Sequence, residues 1–237
     1  MKASLLIILT LCYFHVDAQL RIGIQGGYNS AHVSPSHSSS IIYTDQSSSK
    51  IYDYTTTSLR GFQAGVVTEL RLAHAWFLRT SLLINGKGTR ISRIGMNDTS
   101  ARLLELHYIE VPISVVHKWS MGKRLLAFGG GGLYAARAFR GVEIGEGYSR
   151  SGPYYIENHV VFRSDNSTNS GHPTVVNPND YGFNFITGVE RRGIQLVFSF
   201  EQGLQRLFPK RPIFKEKAST NRVLGFSVVY LFKANRR

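Results

Sequence analysis

The chain has 237 residues, with 28 basic against 15 acidic side chains and a formal net charge of +13. That length suits one medium domain, and its single cysteine, Cys12, excludes a disulfide framework. Beyond the first twenty residues no apolar run approaches the roughly 18 residues of a spanning helix, which leaves a soluble exported domain or a β-barrel.

The chain opens "MKASLLIILTLCYFHVDAQ". Lys2 is a short positive region, Leu5 to Phe14 an apolar stretch, and Val16-Asp17-Ala18 a small-residue cleavage site. This predicts a secretory signal peptide over 1–18, cleaved before a domain over 19–237. A lipid anchor would need a cysteine just after the cut. Gln19 stands there, and Cys12 leaves with the leader. An exported chain without a nucleic-acid motif points away from nucleic acid. Its positive charge suits anionic lipid headgroups or polysaccharide phosphates.

Alternation of period two recurs from residue 20 to the end. It predicts eight strands, at about 20–32, 59–72, 76–87, 104–119, 124–140, 180–191, 193–205 and 221–233. Each is long enough to cross a bilayer as a tilted strand of about 9–11 residues, and longer than the ~5–6 of ordinary soluble strands. Short connections at 73–75, 120–123 and 191–193 alternate with long polar ones at 33–58, 88–103, 141–179 and 206–220. Short periplasmic turns and long external loops are the signature of an outer-membrane barrel. Trp76 and Trp119 flank two of the short turns, where a periplasmic aromatic girdle belongs.

The fifth strand contains Gly129 to Gly132. No Gly-Lys-Ser/Thr follows and no capping residue opens a helix, so a phosphate loop does not fit. A linker would be polar on both sides, and this run is apolar. Glycines in a crowded, curved barrel wall permit bending and close packing of lumen side chains. Pro112, inside the fourth strand, requires a bulge or a relaxed pairing.

Several segments together resemble the PorT-like outer-membrane β-barrel family: "RIGIQGGYNS", "GFQAGVVTELRL", "LHYIEVPISVVHKW", "GGGGLYAARAF", "DYGFNFITGVE" and "LGFSVVYLF". The most specific piece is Tyr108-x-Glu110-x-Pro112 followed by Lys118. The resemblance implies an all-β, eight-stranded antiparallel up-and-down transmembrane β-barrel. The expected role is structural or interactive: a secretion or envelope-assembly accessory, or a surface binding protein. The chain departs from the family pattern at Ser81, where an acidic residue is usual, and at Gly130-Gly131, where Gly-Pro is usual.

Strand parity puts Glu69, Arg71, Arg79, Lys87, Glu110, Asn184, Glu190 and Glu201 on the lumen side. Eight strands leave room for side chains and little else, so these read as a structural polar network. Arg206, Lys210, Arg211, Lys215 and Lys217 form a basic loop, a candidate contact for outer-membrane lipid or glycolipid. Other envelope or secretion proteins are further candidate partners. No HExxH, GxSxG or metal-ligand spacing occurs, so neither a catalytic residue, a metal nor a cofactor is expected. The rival class is an outer-membrane enzyme acting on envelope lipids through His159 or His172 and a serine. A soluble periplasmic β-domain is the third.

Overall fold

The computed structural model describes residues 20–34, 41–45, 48–94, 99–149, 151–163, 174–208 and 219–232. The leader, His172, Lys210, Arg211, Lys215 and Lys217 lie outside the described residues. The strands are β1 (Leu20–Ser34), β2 (Ile41–Asp45), β3 (Ser48–Arg71), β4 (Trp76–Ile94), β5 (Thr99–Ser120) and β6 (Leu126–Ser149). They continue as β7 (Gly152–His159), β8 (Val161–Phe162), β9 (Val175–Val176), β10 (Asn179–Arg191), β11 (Ile194–Gly203) and β12 (Thr220–Leu231).

Eight of these close into a ring. Going round it, β1, β12, β11, β10, β6, β5, β4 and β3 follow one another, and β3 pairs back onto β1. Every pairing in the ring is antiparallel. The eight ring strands are those expected from the alternation. Closure removes the free sheet edges that lipid cannot satisfy.

The two faces invert the rule for soluble proteins. Charged Glu69, Lys87 and Glu110 are 0 % exposed inside the ring. Ile84, Phe185 and Phe226 are 58 %, 55 % and 53 % exposed outside it. A soluble sheet would bury the second set and hydrate the first. Trp76 and Trp119 sit at the periplasmic ends of β4 and β5, and the His117 ring lies 4.7 Å from that of Trp76 and 5.7 Å from that of Trp119. Among the described residues no helix is long and apolar enough to cross a membrane.

The tightest periplasmic turn joins β10 to β11. Its two residues, Arg192 (φ 54°) and Gly193 (φ 86°), both take positive φ, the geometry of a type I′ hairpin that matches strand twist.

On the opposite side several strands run past their expected ends. β3 starts at Ser48, β4 ends at Ile94, β5 starts at Thr99 and β6 ends at Ser149. The connections at 33–58, 88–103 and 141–179 are therefore partly sheet. β2 extends it on β3 and β7 on β6. Above the membrane neither face meets lipid, so the apolar contrast that marks a strand in sequence is lost there.

Pro112 leaves a relaxed pairing. Toward β4 the ladder steps from Thr80↔Ile113 to Leu83↔Glu110, while toward β6 it continues through Pro112↔Tyr134. The β5–β6 bulge falls elsewhere, at His107/Tyr108.

Candidate functional site

The lumen is filled from the periplasmic end upward. The first layer gathers Arg21, Glu69, Arg79, Lys118, Glu190 and Gln195, all near periplasmic strand ends. Lys118 Nζ lies 2.6 Å from a carboxylate oxygen of both Glu69 and Glu190. Arg21 bridges the same two carboxylates, at 2.5 Å to Glu190, and Arg79 reaches Glu69 at 3.3 Å. Gln195 donates to Glu69 and Glu190, both at 2.9 Å, and accepts from Arg79 at 2.6 Å. Buried charges are tolerable only when paired and hydrogen-bonded in this way.

Above this lies an apolar layer of Val67, Val116, Phe128, Val197, Val229 and Leu231. Next comes a band of uncharged polar side chains that depends on glycines. Asn184 on β10 and Ser114 on β5 both pair with Gly132 of the intervening β6. Because Gly132 has no side chain, they meet across it. Asn184 Nδ2 donates to Ser114 Oγ at 2.9 Å, and Ser114 donates back at 3.2 Å. A Cβ on Gly132 would collide with the Ile113 carbonyl oxygen and Ser114 Cα. Gly27 serves likewise on β1, where Gln63 of β3 donates to Ser227 of β12 at 2.6 Å.

The second charged layer centres on Lys87. Its Nζ lies 2.6 Å from Glu110, 3.0 Å from Glu201 and 3.6 Å from Asp180. The Tyr134 ring stands 4.5 Å from the same ammonium. Tyr134 and Asn221 donate to Asp180 at 3.1 and 2.9 Å, and Asn85 donates to Glu110 at 3.2 Å. Between the charged layers remains a cavity of about 30 Å³, lined among others by Gln25, Gln63, Ser114, Asn184 and Glu201. That is room for a few waters at most.

An apolar cap closes the outer mouth. Val160, Val176 and Leu207, with Phe162 and Phe208, pack on Leu104, Leu106, Tyr108, Tyr134, Ala136 and Ala138 of the wall. Val160 N–H donates to Gly141 O at 3.0 Å and Asn177 N–H to Leu207 O at 2.9 Å, tying the cap to β6 and its segments to each other.

Of the residues expected in the lumen, Glu69, Arg79 and Glu190 fall in the inner charged layer. Lys87, Glu110 and Glu201 fall in the outer one, and Asn184 lies between. Arg71 is a correction. It lies at the end of β3 and donates to the turn carbonyls of Ala73 (3.4 Å) and His74 (3.1 Å), because the inner layer ends one pair of residues above it. Arg21, Gln195 and Asp180 were absent from the expected set, and Lys118 entered only through the family motif. Parity itself puts Asp180 on the face of Asn184 and Gln195 on that of Glu201, and it likewise puts Lys118 on the face of Glu110 and Arg21 on that of Gln25. Of the basic loop, only Arg206 is described, and it is half-buried. His159 is exposed at the end of β7, and no serine hydrogen-bonds to it among the described residues. Among the described residues no cluster of three His, Cys, Asp or Glu is placed to hold a metal.

Among solved structures the chain is similar to Ail, the attachment invasion locus protein of Yersinia pestis. That likeness has 10% identity, covers 90% of this chain and 98% of that one, and gives a TM-score of 0.32. It is also similar to Neisserial surface protein A (11% identity, 92% and 100% covered, TM-score 0.41). A third similar structure is OprG from Pseudomonas aeruginosa (14% identity, 90% and 96% covered, TM-score 0.39). No curated protein sequence matches significantly. Residues 17–209 match the family described as outer membrane protein beta-barrel domain. With its closed eight-stranded ring, charged interior and apolar exterior, the chain belongs to this family of outer-membrane β-barrels.

Proposed function

We propose that this outer-membrane barrel is a closed, non-conducting and non-enzymatic scaffold. Its role is structural or interactive: an accessory in secretion or envelope assembly, or a surface binding protein. One observation carries the reading. Two ion-paired layers and an apolar cap fill the lumen, so among the described residues no continuous wet path supports a conduit. The sheet that rises above the ring supports an interactive role, because it presents Tyr148, Tyr155 and Ile156 to solvent.

Within the family we place the chain nearest the PorT-like members. Tyr108, Glu110 and Lys118 of the specific motif are buried in the lumen, where a shared sequence would have structural meaning. The leader over 1–18 delivers the chain to the envelope in this reading. Its partners are outer-membrane glycolipid and envelope or secretion proteins. The test is reconstitution into planar bilayers, with a parallel incubation on radiolabelled envelope lipid. The expected result is neither discrete current steps nor acyl release. Stable conductance steps would overturn the closed lumen. Acyl release abolished by His159→Ala would promote the lipid enzyme.

A further inference from the structure

Where the lipid-facing segments end, arginines begin. A tilted strand crosses the hydrocarbon in about 9–11 residues. Counted from the periplasmic rim, that span ends near residue 61 on β3, 136 on β6 and 222 on β12. Arg60, Arg137 and Arg222 stand at those heights, and all three point outward. β6 carries a second arginine just above. The bulge at His107/Tyr108 breaks the alternation, so Phe139 and Arg140 are both exposed while Ala138 and Gly141 are buried. Without it Arg140 would face the lumen, which bulges can correct by re-aiming a side chain.

We propose that Arg137 and Arg140 form a binding site for the phosphate of a phosphorylated glycolipid in the outer leaflet. The inference rests on the reading that these strands span the outer membrane. Several other arginines have partners: Arg21 and Arg79 inside the ring, Arg90 by Glu146 at 2.8 Å, Arg102 by Glu143 at 3.5 Å, and Arg222 by Gln202 at 2.6 Å. Arg137 and Arg140 meet no carboxylate or other hydrogen-bond partner among the described residues. They lie three positions apart on one face, within about 10 Å along the strand. Two long side chains at that spacing can converge on one group, with their stems against apolar wall and their heads at the headgroups. Glu105, a carboxylate exposed on this face, lies 3.2 Å from the Nε2 of His107, the residue paired opposite Arg140.

The chemistry selects the ligand. Guanidinium forks bind phosphate oxygens in bidentate fashion. Two neighbouring positive charges are better matched by the doubly charged phosphomonoester of a sugar than by the single charge of a phospholipid diester. Asn179, paired opposite Arg137, is exposed beside the site and offers an amide to sugar hydroxyls.

The full chain would be folded into neutral vesicles containing a small fraction of either a glycolipid phosphomonoester or an anionic phosphodiester phospholipid. After gentle extraction and capture, retained lipid is quantified by mass spectrometry, and heat-modifiable gel migration reports folding. Wild type should retain the glycolipid. R137Q/R140Q should lose about tenfold, as expected for losing a charge-assisted hydrogen bond. R137K/R140K should lose less, and K123Q/R124Q, which removes equal charge at a periplasmic turn, should match wild type. If the double variant does not fold, R140Q alone serves, since the Arg140 side chain makes no hydrogen bond or ion pair among the described residues. Equal retention by the folded glutamine variant, equal retention of the phosphodiester lipid, or no retention by wild type would overturn the site. A wild-type chain without heat-modifiable migration would instead overturn the barrel reading beneath it.

Discussion

Lys87 and Lys118 show how a buried cation is valued by its company. Lys118 shares its two carboxylates with Arg21 and Arg79, so removing it leaves them partly compensated. Among the described residues Lys87 is the single cation contacting Glu110, Glu201 and Asp180. Breaking a buried ion pair costs about 3–5 kcal/mol because the remaining charge is stranded. Lys87→Met should reach or exceed the top of that range, and Lys118→Met should fall near the bottom. Urea unfolding from lipid vesicles would measure both, and a smaller loss for Lys87→Met would contradict the outer-layer geometry. Gly132→Val would block the Asn184–Ser114 contact and press on the β5 backbone, a loss of at least about 1–3 kcal/mol. Refolding yield of this variant in vesicles would show the effect, and a wild-type yield would remove the glycine's assigned role.

β10 tests the face assignment at the scale of one element. Its outward Phe185 meets hydrocarbon and its inward Asn184 meets Ser114. Phe185→Arg should cost roughly 2–4 kcal/mol, the range for a cation near the bilayer midplane. Asn184→Ser should cost about 1 kcal/mol, one short-range hydrogen bond. Equilibrium unfolding would rank them, and a costlier Asn184→Ser would place the register off by one. The period of two made such strands legible in the sequence wherever lipid faced one side and packed polar groups the other. The same rule failed above the membrane. "TSARL" at the start of β5 and "GVEIGEGYS" on β6 show no apolar-to-polar contrast, and they fall in expected loops although they are paired strand. The cap is illegible in the sequence for a different reason. Val160, Val176 and Leu207 are isolated apolar residues in polar connections, and only the tertiary fold brings them over the mouth.

At the scale of the whole molecule, the barrel is a protein turned inside out: ion pairs and small polar contacts form the centre, and an apolar wall faces outward. The charges were identifiable individually by parity. Their division into an inner layer around Lys118 and an outer layer around Lys87 depends on strand stagger, which no single strand encodes. The inside-out arrangement is most directly tested by single-cysteine spin labels at successive positions from Asp180 to Glu190, since Cys12 is the chain's one native cysteine and lies within the predicted leader. Labels on the folded barrel in lipid vesicles would be probed with oxygen, which partitions into hydrocarbon, and with a water-soluble nickel complex. Odd positions, including 183, 185 and 187, should be accessible to oxygen and shielded from nickel, while even positions are shielded from both. The opposite phase, or access to nickel at the even positions, would contradict a lipid-facing wall around a closed polar centre.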